Sequence, residues 1–135
     1  MKPVRFRSGN IWSGAKNGLA VLTNPTELAF RKGNLRRHWP VEWDGKAYPD
    51  SEALYQFFSK NCKGDTDACY GMCTHAVACK LYQYPVIFES IKISGGVNFL
   101  EQCSHFVNGR SPRWEGKGVE SGFIRCLITA YKELS

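Results

Sequence analysis

The chain has 135 residues, of which 43% are hydrophobic and 13% aromatic, and its formal net charge is +6. A chain of this length folds as one domain that buries about two thirds of its unfolded surface, and its apolar content excludes a disordered chain. No apolar stretch approaches the roughly 18 residues that span a bilayer, and none follows the charged N-terminus. The sequence therefore predicts a soluble, cytoplasmic protein with no membrane partner.

The positive charge is concentrated in one segment. Residues 31–38 hold Arg31, Lys32, Arg36, Arg37 and His38. Such a cluster favours an anionic partner, which means nucleic acid, a nucleotide or a phosphorylated metabolite. A solvated surface explains the cluster equally well.

The chain contains the cysteines Cys62, Cys69, Cys73, Cys79, Cys103 and Cys126. Without an export signal, we expect these residues to be reduced thiols that pack as small hydrophobic side chains. The residues of segment 69–79 are spaced more widely than the paired ligands of structural zinc sites. We therefore expect no metal.

The first half of the chain predicts short elements. The apolar residues 19–22 follow an Asn-Gly turn and predict a short strand. Residues 26–38 predict a short helix or an ordered loop. Residues 41–48 predict a β-hairpin around Asp44 and Gly45, which form a strong two-residue turn signal.

The rest of the chain predicts helices. Asp50 or Ser51 can cap a helix that continues to Lys60, with Glu52 in its first turn. Further helices are predicted at 69–82, 86–93, 98–103 and 119–134, and an irregular loop at 106–118. The sum is a mainly α (α+β) fold, a single compact helical domain over residues 1–135 with a small antiparallel β-hairpin.

Two segments combine residue types that serve chemistry. Residues 48–56 place Glu52, Tyr55 and Gln56 on one helical face. Residues 113–122 form a glycine-rich loop entering a helix, where unpaired backbone N–H groups attract an anion. Lys117 there adds charge. On composition alone, both segments read more simply as an ordinary helix cap and loop.

The order of these segments resembles the NADAR family. Residues 22–24 and the run W-D-G-K-A-Y-P-D-S-E-A-L-Y-Q at 43–56 are similar to its N-terminal pattern, an Asn-containing turn followed by D-G-x-x-[YW]-P-S-x-E-x-x-[YF]-Q. Residues 94–101 and 114–133 match its later segments more loosely. These matches follow the family's order over most of the chain.

The resemblance implies an α-rich fold that hydrolyses N-glycosidic bonds without a cofactor. The implied substrate is ADP-ribosylated guanine in DNA, RNA or a nucleotide, and the implied partner is ADP-ribose or an ADP-ribosylated nucleotide or nucleic acid. The alternatives are a phosphoribosyl intermediate of riboflavin synthesis and a module that binds ADP-ribose or NAD without cleaving it.

The resemblance also implies roles for single residues. Glu52 matches the family's catalytic carboxylate, and Asn24, Tyr55 and Gln56 match pocket positions. The loop that it places near the ligand contains Trp114, Gly116, Lys117, Gly118 and Ser121.

Two further assignments come from the chemistry of the residues. We predict His105 as the general acid, because an imidazole titrates near neutral pH. The pyrophosphate is predicted at the helix start in 116–122, with Arg31 and Lys32 as further candidates.

The chain also departs from the family. It has no counterpart of the R-x-x-W-E-x-V-K helix whose Trp lines the site in longer members. Position 111 is Ser where the family has an Asp, and His105 and Glu115 are the candidates to replace that Asp. These departures leave a binding module open. A plain nucleic-acid-binding protein is a further alternative, which rests on residues 31–38 without a recognised motif.

Overall fold

The computed structural model describes residues 1–62 and 64–135 and has a mainly α architecture. Its α-helices are α1 (Thr26–Arg31), α2 (Ser51–Ser59), α3 (Thr66–Gln83), α4 (Pro85–Ser94), α5 (Val97–Glu101) and α6 (Gly122–Glu133). Strand β1 (Val41–Trp43) pairs antiparallel with β2 (Lys46–Tyr48), and β3 (Ser104–His105) pairs antiparallel with β4 (Gly116–Lys117). Short 3-10 helices span Leu19–Leu22 and Gly118–Glu120. The predicted fold class is confirmed.

The core forms where α3 and α6 pack together. Helix α6 buries one apolar face, as its sequence period predicted, and α3 meets it with a line of smaller side chains. The buried members of this contact are Cys73, Val77, Leu81, Phe123, Ile124, Leu127 and Ile128. Full burial of one large apolar side chain stabilises a fold by roughly 1.5–3 kcal/mol, so the side chains of this contact contribute substantially to stability.

A lysine lies inside this apolar interior. Lys80 of α3 is fully buried, and its Nζ donates to the carbonyl oxygens of Val21 at 2.8 Å and Thr23 at 2.7 Å. Burial lowers the pKa of Lys80 to about 7, against the opposing influence of Asp50 and Cys73. A neutral amine has two N–H donors, which match these two acceptors. Lys80 thus satisfies the carbonyl groups at the end of the 3-10 helix Leu19–Leu22.

One buried carboxylate caps two helices. Asp50 Oδ1 accepts from the Ala53 N–H at 2.9 Å and so caps α2. Its Oδ2 accepts from the Glu27 N–H at 3.0 Å, in the first turn of α1. An N-terminal cap of this kind contributes about 1 kcal/mol, and here one side chain supplies two.

A buried asparagine joins the same helix starts to α3. The Asn24 carbonyl accepts from the Glu52 N–H at 3.2 Å, and Asn24 Oδ1 accepts from the Ser51 hydroxyl at 3.0 Å. Its Nδ2 lies 3.5 Å from the Cys73 Sγ. We call Asn24, Asp50, Ser51 and Lys80 the buried junction, because each is less than a tenth exposed.

The first half of the chain confirms the hairpin and corrects one element. Asp44 and Gly45 both have positive φ, 50° and 75°, as a type I′ turn requires. Residues 19–22, however, form a 3-10 helix, and the predicted strand is wrong. A run of four apolar residues has no period that distinguishes a strand from a helical turn.

Two helix starts and one loop also differ from the prediction. Helix α3 begins at Thr66, before the predicted 69, because the Asp65 side chain caps it. Helix α6 begins at Gly122, after the predicted 119, because Gly118–Glu120 form a 3-10 turn. The predicted irregular loop 106–118 ends in strand β4, which pairs with β3.

The helices and the cysteines bear on two further predictions from the sequence. None of the helices in residues 1–62 and 64–135 has the length and apolar content needed to cross a membrane. The cysteines are all free thiols.

The buried Lys80 makes stability depend on pH. The unfolded chain holds the lysine proton up to pH 10.5, whereas the folded chain releases it near pH 7. Between these values the unfolded state binds more protons, so the free energy of unfolding rises with pH by up to about 1.4 kcal/mol per unit. Lys80→Met should remove this rise in urea denaturation series, and Lys132→Met, at an exposed position of α6, should keep it. Parallel curves for wild type and Lys80→Met would refute this explanation.

Candidate functional site

A cavity of about 340 Å³ lies between α1, α2, α3 and the loop that follows β3. Its walls are largely aromatic and aliphatic, as is typical of small-molecule sites. The predicted site residues in its lining are Asn24, Glu52, Tyr55, Gln56, His105 and Trp114. The lining also contains residues that the sequence did not predict, among them Trp12, Ser13, Thr23, Leu28, Cys73 and Phe123.

Glu52 is the carboxylate best placed for chemistry. It is half-buried in the first turn of α2, and its Oε2 accepts from Gln56 Nε2 at 2.6 Å. Burial raises the pKa of Glu52 above its usual value; the Gln56 bond opposes this change, and the nearby Asp50 adds to it. A partly desolvated carboxylate with a raised pKa accepts a proton more readily than an exposed one.

His105 reaches the cavity from β3. Its Nδ1 lies 2.6 Å from the Ile11 carbonyl oxygen, and since a carbonyl only accepts, Nδ1 carries the proton. Burial lowers the pKa of His105, while the Ile11 bond and Glu115 act in the opposite direction. At neutral pH the ring is therefore uncharged, and its Nε2 carries a lone pair. This state favours a proton acceptor over the predicted general acid.

Trp114 forms a fixed aromatic wall. Its ring meets the Tyr55 ring edge-on at 5.6 Å and the Tyr70 ring edge-on at 5.2 Å between centroids. The Tyr70 hydroxyl donates to the Arg113 carbonyl at 2.7 Å, which holds the chain next to Trp114. Burial also raises the pKa of Tyr55, so that its hydroxyl stays neutral. The wall can pack against a base or a ribose.

Glu115 organises the loop at the opposite side of the cavity. Its Oε2 accepts from the N–H groups of Val107, Asn108 and Gly109 at 2.7, 3.2 and 3.0 Å, and its Oε1 accepts from Ser111 at 3.1 Å. These bonds lower the pKa of Glu115 to about 2. Because both oxygens are bonded to the loop, Glu115 is poorly suited to replace the family's Asp.

The predicted anion site at the start of α6 is filled by the protein's own atoms. Ser121 Oγ accepts from the Ile124 N–H at 3.1 Å and itself donates to the Trp114 carbonyl. The Phe123 N–H bonds the same carbonyl at 3.3 Å. Ser121 thus acts as a helix cap outside the cavity lining, and these N–H groups are not open to a phosphate.

The other residues of that loop also lie outside the lining. A Cβ on Gly118 would lie 2.5 Å from the Glu101 carbonyl oxygen, and one on Gly116 would lie 2.7 Å from the Glu120 backbone. Both glycines have positive φ, so they are explained by close backbone packing. Lys117 is exposed on β4.

The two basic candidates at the end of α1 differ in position. Arg31 is exposed and does not line the cavity. Lys32 is also exposed, but its Nζ donates to Ser13 Oγ at 2.6 Å and lies 4.9 Å from the centre of the Trp12 ring. Ser13 and Trp12 both line the cavity, so Lys32 lies at its mouth.

Two buried polar groups complete the inner wall. Thr23 lines the cavity, but its hydroxyl is shielded from solvent and has no hydrogen-bond partner within the described residues. Cys73 also lines the cavity, and the neighbouring Cys126 and burial hold the pKa of its thiol well above the usual value. Cys73 is therefore a neutral thiol at this wall.

No family model matches the chain, and neither a curated protein nor a solved structure matches it. Within residues 1–62 and 64–135, no three side chains of His, Cys, Asp or Glu are grouped as a metal site would need. The chemistry of the cavity is therefore inferred from its own residues.

Glu115 should determine how firmly the loop is held. Glu115→Gln removes the charge and leaves one acceptor oxygen, so the bonds to Val107, Asn108 and Gly109 weaken. We expect faster amide hydrogen exchange at these three residues and unchanged exchange at Leu127 in the core. The control Glu101→Gln, at an exposed position, should change neither. Unaltered exchange in the loop of Glu115→Gln would contradict this role.

Proposed function

We propose that the protein is an N-glycosidase that hydrolyses the bond between ADP-ribose and guanine in DNA, RNA or a nucleotide, with Glu52 as the catalytic carboxylate. The observation that carries the proposal is the position of Glu52, half-buried in an aromatic-walled cavity with a raised pKa. The resemblance to the NADAR family adds support, because Glu52 matches its catalytic position.

The chemistry requires a carboxylate of this kind. Cleavage of an N-glycosidic bond passes through a ribosyl group with oxocarbenium character, and a nearby carboxylate stabilises the positive charge. The oxygen of a water molecule forms a bond to the anomeric carbon as the carbon–nitrogen electron pair leaves with guanine. Glu52 takes the proton that the water loses and afterwards releases it to solvent, and the departing nitrogen takes a proton from solvent water.

The neighbouring residues have roles that suit this reaction. Gln56 holds one Glu52 oxygen, which leaves Oε1 to face the ribosyl group. Trp114 and Tyr55 offer apolar surface to a base or ribose. His105, with its lone pair at Nε2, can orient a water molecule or accept from a ribose hydroxyl.

A second candidate is recognition of ADP-ribose or NAD without cleavage. The specific observation that favours it is the state of the other titratable groups in the wall. Glu115 is bonded to its loop, and His105 has a lowered pKa, so neither readily supplies a proton to a leaving group. A cavity with one available carboxylate suits a binding module as well.

The test is to incubate the purified protein with guanine-linked ADP-ribosylated DNA and nucleotide and to identify the products by mass spectrometry. Glu52→Gln keeps the shape of the side chain but loses the charge, so we expect intact binding and turnover reduced by roughly 10²–10⁴-fold. Glu133→Gln, at an exposed position of α6, is the matched control and should retain full turnover.

The outcomes separate the candidates. Unchanged turnover in Glu52→Gln would exclude Glu52 as the catalytic group. Saturable binding of ADP-ribose without release of product would establish the binding module. If the protein neither binds ADP-ribose nor releases product, phosphoribosyl intermediates of riboflavin synthesis become the next substrates to test.

The raised pKa of Glu52 gives a further expectation for the wild type. Only the ionised carboxylate stabilises the ribosyl cation, so turnover should fall as the pH drops through that raised pKa. Rates measured from pH 4 to 8 on a stable substrate check this. A rate that does not fall at acid pH would contradict a role for the ionised form.

A further inference from the structure

Hydrogen bonds connect two lysines to Ser13, a residue at the mouth of the cavity. Lys32 Nζ donates to Ser13 Oγ at 2.6 Å, and Lys16 Nζ donates to Asn34 Oδ1 at 2.7 Å. Asn34 Nδ2 in turn donates to the Ser13 carbonyl at 2.9 Å, so the two lysines are linked through a pair of polar residues. We call Ser13, Lys16, Lys32 and Asn34 the lysine rim.

The lysine rim borders the cavity directly. Ser13 is only 5% exposed and lines the wall, while Lys32 lies over the Trp12 ring, which also lines it. Leu28, one helical turn before Lys32 on the same face of α1, is a third lining residue. Within the described residues, no carboxylate lies within 4 Å of Lys16 or Lys32, so their charge is not neutralised by an ion pair.

The wall behind the rim has the opposite charge. Its ionisable lining residues include Glu52 and Glu115, and among residues 1–62 and 64–135 neither a lysine nor an arginine lines it. A phosphate inside the cavity would therefore face Glu52 in a poorly solvated space, where repulsion is stronger than in water. At the rim the same phosphate would meet two ammonium groups and a hydroxyl. The charges favour a ligand whose uncharged ribosyl part enters and whose phosphate stays outside.

We infer that the lysine rim is a phosphate subsite that holds the 5′ phosphate or diphosphate of the ligand's ribosyl group. This inference rests on the proposed function only in placing the anomeric carbon at Glu52. It assigns the phosphate to Lys16 and Lys32 and not to Lys117 and the start of α6, where the Phe123 and Ile124 N–H groups are already bonded. Both ADP-ribose and a simple ribose phosphate have the required chemistry.

Calorimetric binding of three probes tests the inference: ADP-ribose, ribose 5-phosphate and the uncharged guanosine. The double variant Lys16→Ala/Lys32→Ala should bind both phosphorylated probes at least about tenfold more weakly, since it loses two charge-assisted hydrogen bonds. Its affinity for guanosine should be unchanged. Lys132→Ala removes an exposed charge elsewhere and should bind all three probes as the wild type does. Preferential binding of ADP-ribose over ribose 5-phosphate would show that groups beyond the first phosphate contribute to binding.

Three results would overturn the phosphate subsite. They are unchanged affinity of the double variant for the phosphorylated probes, an equal loss of affinity for guanosine, and no binding of either phosphorylated probe to the wild type.

The variant Lys32→Met removes the charge but keeps the packing over the Trp12 ring. Measuring both its thermal unfolding and its binding of the probes therefore distinguishes the loss of charge from a loss of structure. Lysine-dependent binding of ADP-ribose without hydrolysis would keep the subsite and refute the N-glycosidase. Hydrolysis with a KM that does not depend on the lysines would support the N-glycosidase and refute the phosphate subsite.

Discussion

The buried junction of Asn24, Asp50, Ser51 and Lys80 is the constraint on which the rest of the structure depends. A buried polar group without a partner costs about 1–3 kcal/mol, so these side chains fix the segments that satisfy them. Asp50 ties the starts of α1 and α2 together, and Lys80 ties the end of the first 3-10 helix to α3. Since each residue serves two segments, a shift of one helix would leave polar groups unpaired in another.

This constraint also explains why the cavity is where it is. The Asn24 carbonyl accepts from the Glu52 N–H, so the buried junction that starts α2 also positions Glu52. Unlike Glu115, whose carboxylate is bonded to the backbone of the loop, Glu52 has a carboxylate that is available in the cavity wall. The side of the cavity built by α2 and α3 is therefore rigid. The opposite side is a surface loop held by exposed hydrogen bonds, from its backbone to Glu115 and between Asn10 and Phe106, which makes it the easier part to open. Negative charge inside and positive charge at the mouth then favour a phosphorylated riboside.

Local signals predicted the elements that depend on local chemistry. The Asp44-Gly45 turn, the Asp50 cap and the apolar period of α6 each act within a few residues, so the sequence is sufficient for them. The pairing of β3 with β4 and the 3-10 helix at 19–22 depend on distant contacts, and two- or four-residue segments have no informative period. In the site, the sequence places Glu52, Tyr55 and Gln56 on one helical face, and the family resemblance supplied their roles. Trp12, Ser13 and Thr23 were not predicted, because the fold alone brings them there, and nothing local marks Lys80 as buried.

The most direct test of the central claim is a crystal structure of the Glu52→Gln protein with an intact ADP-ribosylated guanine nucleotide. We expect the anomeric carbon to lie beside position 52, the ribosyl group to pack against Trp114, and the diphosphate to bind Lys16 and Lys32. A ligand bound at Lys117, or in the groove between the β1–β2 hairpin and α3 lined by Trp43, His75 and Tyr82, would contradict it.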